Sequence, residues 1–147
     1  MTRSPAGPTL TVPCDADERT AAMPKLSMDS AEAVDYGPVV DRRMDTHGYA
    51  IQFITFKVAM DGTPLLKGLP EDRCQCPHWG YVLRGRVTFR FADHDEVFEA
   101  GDAFYLPPGH IPVHDADSEY LQFSPLEELN ETSAAIMRNM EAMQAAS

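Results

Sequence analysis

The feature that most narrows the fold is a series of short alternating stretches cut by turns from Arg86 onward. Residues 86–92 put Val87, Phe89 and Phe91 on one side and Arg86, Thr88 and Arg90 on the other. That period of two is the pattern of a strand with one covered face. Asp93-His94-Asp95 turns the chain, residues 96–99 return, and Ala100-Gly101-Asp102 turns it again into Ala103-Phe104-Tyr105-Leu106. Pro107-Pro108-Gly109 stops that strand, and two more follow, from Ile111 to about Asp115 and from Glu119 to Phe123. Upstream, residues 48–60 (GYAIQFITFKVAM) alternate over a longer span, with Ile51, Phe53, Thr55 and Lys57 opposite Gln52, Ile54, Phe56 and Val58. Their β-branched and aromatic content predicts one long strand covered on much of both faces. Strands with turns at roughly 8–12-residue spacing, and few helices between them, predict an antiparallel sandwich or barrel.

The two ends read differently. Residues 1–24 hold four prolines and no hydrophobic period, so they are expected to form a flexible arm in which Cys14 is a bystander. Tyr36-Gly37-Pro38 marks a turn near the start of the barrel, which is expected to occupy residues 25–124. Residues 125–147 should be an amphipathic helix that covers the barrel or meets a second copy. Ser124 stands at the N-cap position, Pro125 at the first helical position and Glu127 three residues after the serine. Leu126, Leu129, Ile136, Met140 and Met143 would form its apolar stripe, with a second cap starting near Asn130-Glu131-Thr132.

The densest chemistry lies in residues 72–85, DRCQCPHWGYVLRG. Cys74, Cys76 and His78 fall at every second position and run into Tyr81-Val82-Leu83. If the strand begins as early as Cys74, two thiols and an imidazole project to one face. Gly80 would share that face, its missing side chain leaving room for a ligand, and Trp79 would point outward. Three cysteines in 147 residues suit reduced thiols better than a disulfide framework.

Composition excludes several partners. The net charge of −11 argues against nucleic acid and anionic membrane, which are bound through basic patches. No apolar run approaches the roughly 20 residues that cross a bilayer, and the N-terminus lacks the pattern of a secretory signal. A cytoplasmic location is the default expectation.

Tyr81-Val82-Leu83-Arg84-Gly85-Arg86 and Gly101-Asp102-Ala103-Phe104-Tyr105-Leu106-Pro107-Pro108-Gly109, with fifteen residues between Gly85 and Gly101, resemble the two motifs of the cupin superfamily. The likeness is to its small single-domain members and covers roughly residues 45–124. It implies an all-β fold, the antiparallel double-stranded β-helix or jelly-roll barrel, enclosing a small-molecule ligand. The superfamily's usual three-histidine, one-glutamate metal set does not carry over. His78 stands at the glutamate position, Asp72 and Cys74 at the histidine positions of the first motif, and Pro112 at that of the second, flanked by His110 and His114.

Two readings of residues 72–85 follow. In one, Cys74, Cys76, His78 and His114 (or His110) hold a divalent metal, zinc by preference for a soft tetrahedral set and iron as the second choice. His110, after the Pro-Pro-Gly turn, would then be a proton-transfer group. In the other, the cysteines are small buried apolar residues and the barrel is metal-free. The corresponding functions are a metal-dependent enzyme on a small organic molecule, and a non-enzymatic ligand-binding or thiol- and metal-sensing module. A homodimer is expected in either case.

Overall fold

The structure, a computed structural model, describes residues 23–146. Cys14 and nearly all of the expected arm lie outside the described residues. The strands are β1 (Val34–Asp35), β2 (Val39–Thr46), β3 (Tyr49–Phe56), β4 (Met60–Asp61), β5 (His78–Arg84), β6 (Arg86–Arg90), β7 (Asp95–Glu99), β8 (Ala103–Leu106), β9 (Ile111–His114) and β10 (Ser118–Pro125). One helix, α1 (Leu126–Ala145), follows them. Six strands form one sheet in the order β1-β2-β3-β10-β5-β8, and four form the other in the order β4-β9-β6-β7. Every pairing is antiparallel. The expected all-β barrel with a terminal helix is the architecture found.

Short-range rules explain the hairpins. His47 and Gly48 both take positive φ, 52° and 78°, joining β2 to β3 through a two-residue loop whose twist suits the flanking strands. Gly85, at φ 77°, turns β5 into β6 against Ser118; a Cβ there would lie 2.8 Å from the Ser118 Cα. The inward residues of β3, Ala50, Gln52, Ile54 and Phe56, are buried, and Ile54 and Phe56 join Val82, Val87, Phe89, Phe104, Leu106 and Tyr120 in the main core.

Three expectations change. The long strand over residues 48–60 divides into β3 and the short β4, which belong to different sheets. The strand expected to begin at Cys74 begins at His78, because Pro77 lacks the N–H that a regular ladder uses. The helix starts at Leu126 without a side-chain cap and runs unbroken to Ala145. Ser124 does not cap it, since its hydroxyl is spent on His78.

Gly80 is also not empty space. The Phe104 ring fills it: an added Cβ would stand 2.4 Å from Phe104 Cζ and 2.5 Å from the Leu121 carbonyl oxygen. The outer face of the six-stranded sheet carries two uncharged rows in register, Ile51–Phe123–Trp79–Tyr105 and Phe53–Leu121–Tyr81–Ala103. Trp79 packs on Tyr105 at 5.1 Å between ring centroids yet stays 43% exposed.

Gly80→Ala should destabilise the fold by about 1–3 kcal/mol, because the Leu121 carbonyl belongs to a paired strand and cannot retreat. Urea unfolding of the variant beside the wild type measures this, and equal midpoints would refute it.

Candidate metal centre and cavity

Cys74, His78 and His110 each offer one ligand atom within 4.8 Å of the others, and all three are buried. Backbone pairing brings two of them together. The Cys74 N–H donates to the His110 carbonyl at 2.9 Å, and the Gly109 N–H donates to the Cys74 carbonyl at 2.8 Å. This isolated bridge ties the segment before β5 to the Pro-Pro-Gly turn before β9. His78 enters from the first position of β5, its Nε2 3.7 Å from Cys74 Sγ. Above them α1 places Thr132, whose hydroxyl oxygen lies 3.6 Å from the same sulfur.

The histidines are prepared as ligands. The His110 Nδ1–H donates to the Pro107 carbonyl at 2.8 Å, which leaves the lone pair on Nε2. His78 Nδ1 meets Ser124 Oγ at 2.6 Å. With the proton on Nδ1, its Nε2 lone pair also faces the cluster. Such outer hydrogen bonds fix the tautomer and aim of a metal-binding imidazole. Burial pulls His78 down to about 3 and His110 to about 4, so both are neutral near pH 7 and no proton competes for their lone pairs. The Cys74 thiol is pushed up by burial, against hydrogen bonds from Thr132 and Cys76, and remains a thiol until a cation draws off its proton. One thiol and two imidazoles, with a fourth direction open to the cavity, fit a tetrahedral metal.

Two of the expected ligands lie elsewhere. Cys76 sits on the opposite side of the His78 ring, its Sγ 3.9 Å from Nδ1, so the sulfurs address different nitrogens of one imidazole. The cause is the irregular chain through Pro77, which breaks the assumed alternation. Cys76 joins Ala50, Leu66 and Leu129 in a second small core, and burial, with the charges of Cys74 and Glu128 adding, pushes it to about 12. His114 stacks on Phe56 at 3.5 Å and lies near-parallel beside Tyr120 at 5.5 Å, and its buried Nδ1 has no hydrogen-bond partner among the described residues. His110 stands inside the cluster, where a group held near 4 is a weak base at neutral pH.

A cavity of about 290 Å³ opens beside the cluster, under α1. Phe56, Phe89, His114 and Tyr120 line its deep part, Leu65, Ile136 and Met140 its outer part. Polar side chains interrupt this apolar lining at Asp41, Gln52 and Gln122. Sequence reasoning missed that trio, although a lone glutamine among the apolar inward positions of β3 was its visible trace. Ser124 and Thr132, read from sequence as helix caps, support the cluster instead.

No family model matches the sequence, and no curated protein matches it. Solved structures do resemble the fold. An RmlC-like cupin from Shewanella frigidimarina is 19% identical with a TM-score of 0.50, covering 67% of this chain and 87% of its own. KdgF from Halomonas sp. is 17% identical with a TM-score of 0.53, covering 71% of this chain and 94% of its own. The polyketide cyclase RemF from Streptomyces resistomycificus is 15% identical with a TM-score of 0.53, covering 71% and 80%. These likenesses show that the chain has the cupin fold.

His114 yields a prediction separate from the cluster. Burial holds it at about 3 against an ordinary 6.5, so its contribution is complete above 6.5 and is lost as pH falls toward 3. In metal-free protein, His114→Phe keeps the ring stack and should lessen the stability lost between pH 7 and pH 5 by about 2 kcal/mol. Thermal unfolding at both pH values checks it; an unchanged difference would contradict the assignment.

Proposed function

We propose that this cupin binds one divalent metal ion through Cys74, His78 and His110, and a small organic molecule beside it in the same cavity, as a metal-dependent enzyme. The observation that carries the reading is the pairing of three convergent donors with an outer hydrogen bond on the Nδ1 of each imidazole, which turns Nε2 toward the cluster. Zinc suits this sulfur-nitrogen set best and iron is second. Such an ion, when bound, supplies Lewis acidity toward a carbonyl or hydroxyl oxygen. The protein's own part is orientation and exclusion of water: the bridge fixes Cys74 and His110, Ser124 and Thr132 hold the His78 imidazole and the Cys74 sulfur, and α1 covers them. The thiol-sensing alternative is disfavoured by the same burial, since both cysteines stay protonated near neutral pH and thiolates are the reactive form.

Purified wild-type protein should carry close to one zinc or iron per chain by elemental analysis. Cys74→Ala should lose most of it and Cys76→Ala should keep it. A fully stable, metal-free wild type under metal-replete expression would sink the reading.

A second copy of the chain is the partner we propose for the uncharged outer rows. Two chains of net charge −11 repel each other least where no carboxylate lies, and Trp79, Tyr105 and Phe123 remain 38–53% exposed in the single chain. At one edge of the rows, Arg42, which faces outward beside Phe53, has a buried Nε without a hydrogen-bond partner among the described residues. An acidic residue of the second copy would satisfy it. Sedimentation should give a dimer for the wild type and a monomer for Trp79→Glu/Tyr105→Glu; a monomeric wild type would end the proposal.

A further inference from the structure

Gln52 and Gln122 face each other across β3 and β10, and each is only 6% exposed. Gln122 Nε2 donates to Gln52 Oε1 at 2.9 Å, and Gln52 Nε2 donates to the Asp41 carboxylate at 3.1 and 3.2 Å. Burial raises the Asp41 carboxyl, against the Gln52 hydrogen bond that favours its ionised form, and with that form present the relay has one direction. An ionised carboxylate only accepts, so Gln52 must turn its amide nitrogen toward Asp41 and its oxygen toward Gln122. Gln122 must then turn its nitrogen toward Gln52, and its Oε1 becomes the free end of the relay. On the far side, the place of a Gly80 side chain is taken by the Phe104 ring, which has no polar hydrogen to donate to that oxygen. Gln122 lines the cavity between Tyr120 and Ser124, the neighbouring inward residues of β10. By strand geometry it lies about 7 Å from Ser124, the residue that holds His78.

We infer that the cavity selects a hydroxylated ring compound of about two rings, its hydroxyl donating to Gln122 and its body lying against the aromatic wall of Phe56 and Tyr120. The size follows from the volume: an apolar cavity of about 150 Å³ takes benzene, and this one is about 290 Å³. The donor requirement follows from the relay, because a buried acceptor left unpaired penalises any ligand that cannot donate to it. Asp41, held by Gln52 at the opposite end of the relay, acts as a positioning residue that fixes which end of Gln122 is presented. The inference rests on the cavity being the ligand site, and does not require that the neighbouring cluster hold metal.

The test compares 2-naphthol with 2-methoxynaphthalene, which keeps the rings and lacks the donor, by calorimetry or ligand fluorescence. Wild-type protein should bind 2-naphthol more tightly by about tenfold. Gln122→Leu should erase the preference. Asp41→Asn should also weaken it, since an asparagine can donate to Gln52 and let the relay reverse; a purely structural role for Asp41 would lower both affinities and leave their ratio alone. Protein treated with a chelator should keep the preference, which separates this inference from the metal reading. Equal affinities in the wild type, or no binding of either compound, would overturn it.

Discussion

Everything in the molecule leans on β10. It is the central strand of the six-stranded sheet, paired with β3 along its whole length and with β5 over much of it. Its inward residues each do a different job. Ser118 backs the Gly85 turn, Tyr120 closes the ring stack over His114, Gln122 ends the polar relay and Ser124 aims His78. A strand hydrogen-bonded on both edges has little freedom to shift, so these groups are held to a common ruler with a repeat of about 7 Å. The inner face inherits its order from that ruler: Tyr120 with the rings, then Gln122, then Ser124 beside the candidate metal ligands.

Burial, more than charge pairing, sets the chemistry of the interior. His78, His110 and His114 are all neutral for the same reason, desolvation of the charged form. Yet they differ in use. His78 and His110 have partners on Nδ1 and present the other nitrogen to a shared point, whereas His114 stacks on Phe56 and has no Nδ1 partner among the described residues. A neutral, oriented imidazole is available as a ligand; a neutral, stacked one is core.

The sequence made the sheet legible because turns and alternation are local. Gly85, Gly101 and Pro107-Pro108-Gly109 announce the hairpins, and the paired motifs identify the barrel. Local reasoning failed where a side chain was needed by something distant. Ser124 and Glu127 have the spacing of a helix cap, but the hydroxyl goes to an imidazole 46 positions away in the chain. Thr132 looked like the start of a second cap and faces Cys74. Cys74 and Cys76 looked like one face, but the chain through Pro77 puts their sulfurs against different nitrogens of His78. β2 has no apolar alternation to announce it, since Asp41, Arg42 and Arg43 are charged; Asp41 and Arg43 in fact line the cavity. The Asp41–Gln52–Gln122 relay was out of reach, since it exists only once β2, β3 and β10 are in register.

The alternation of β10 has one more consequence. Leu121 and Phe123 belong to the exposed rows, while Gln122 and Ser124 belong to the cavity, so the outer surface and the inner site are separated by one pleat of backbone. A slip of a single residue would exchange them, sending the aromatics inward and the polar pair to solvent. Both surfaces are therefore readings of one register, and the chain cannot alter either face by sliding this strand without dismantling the other.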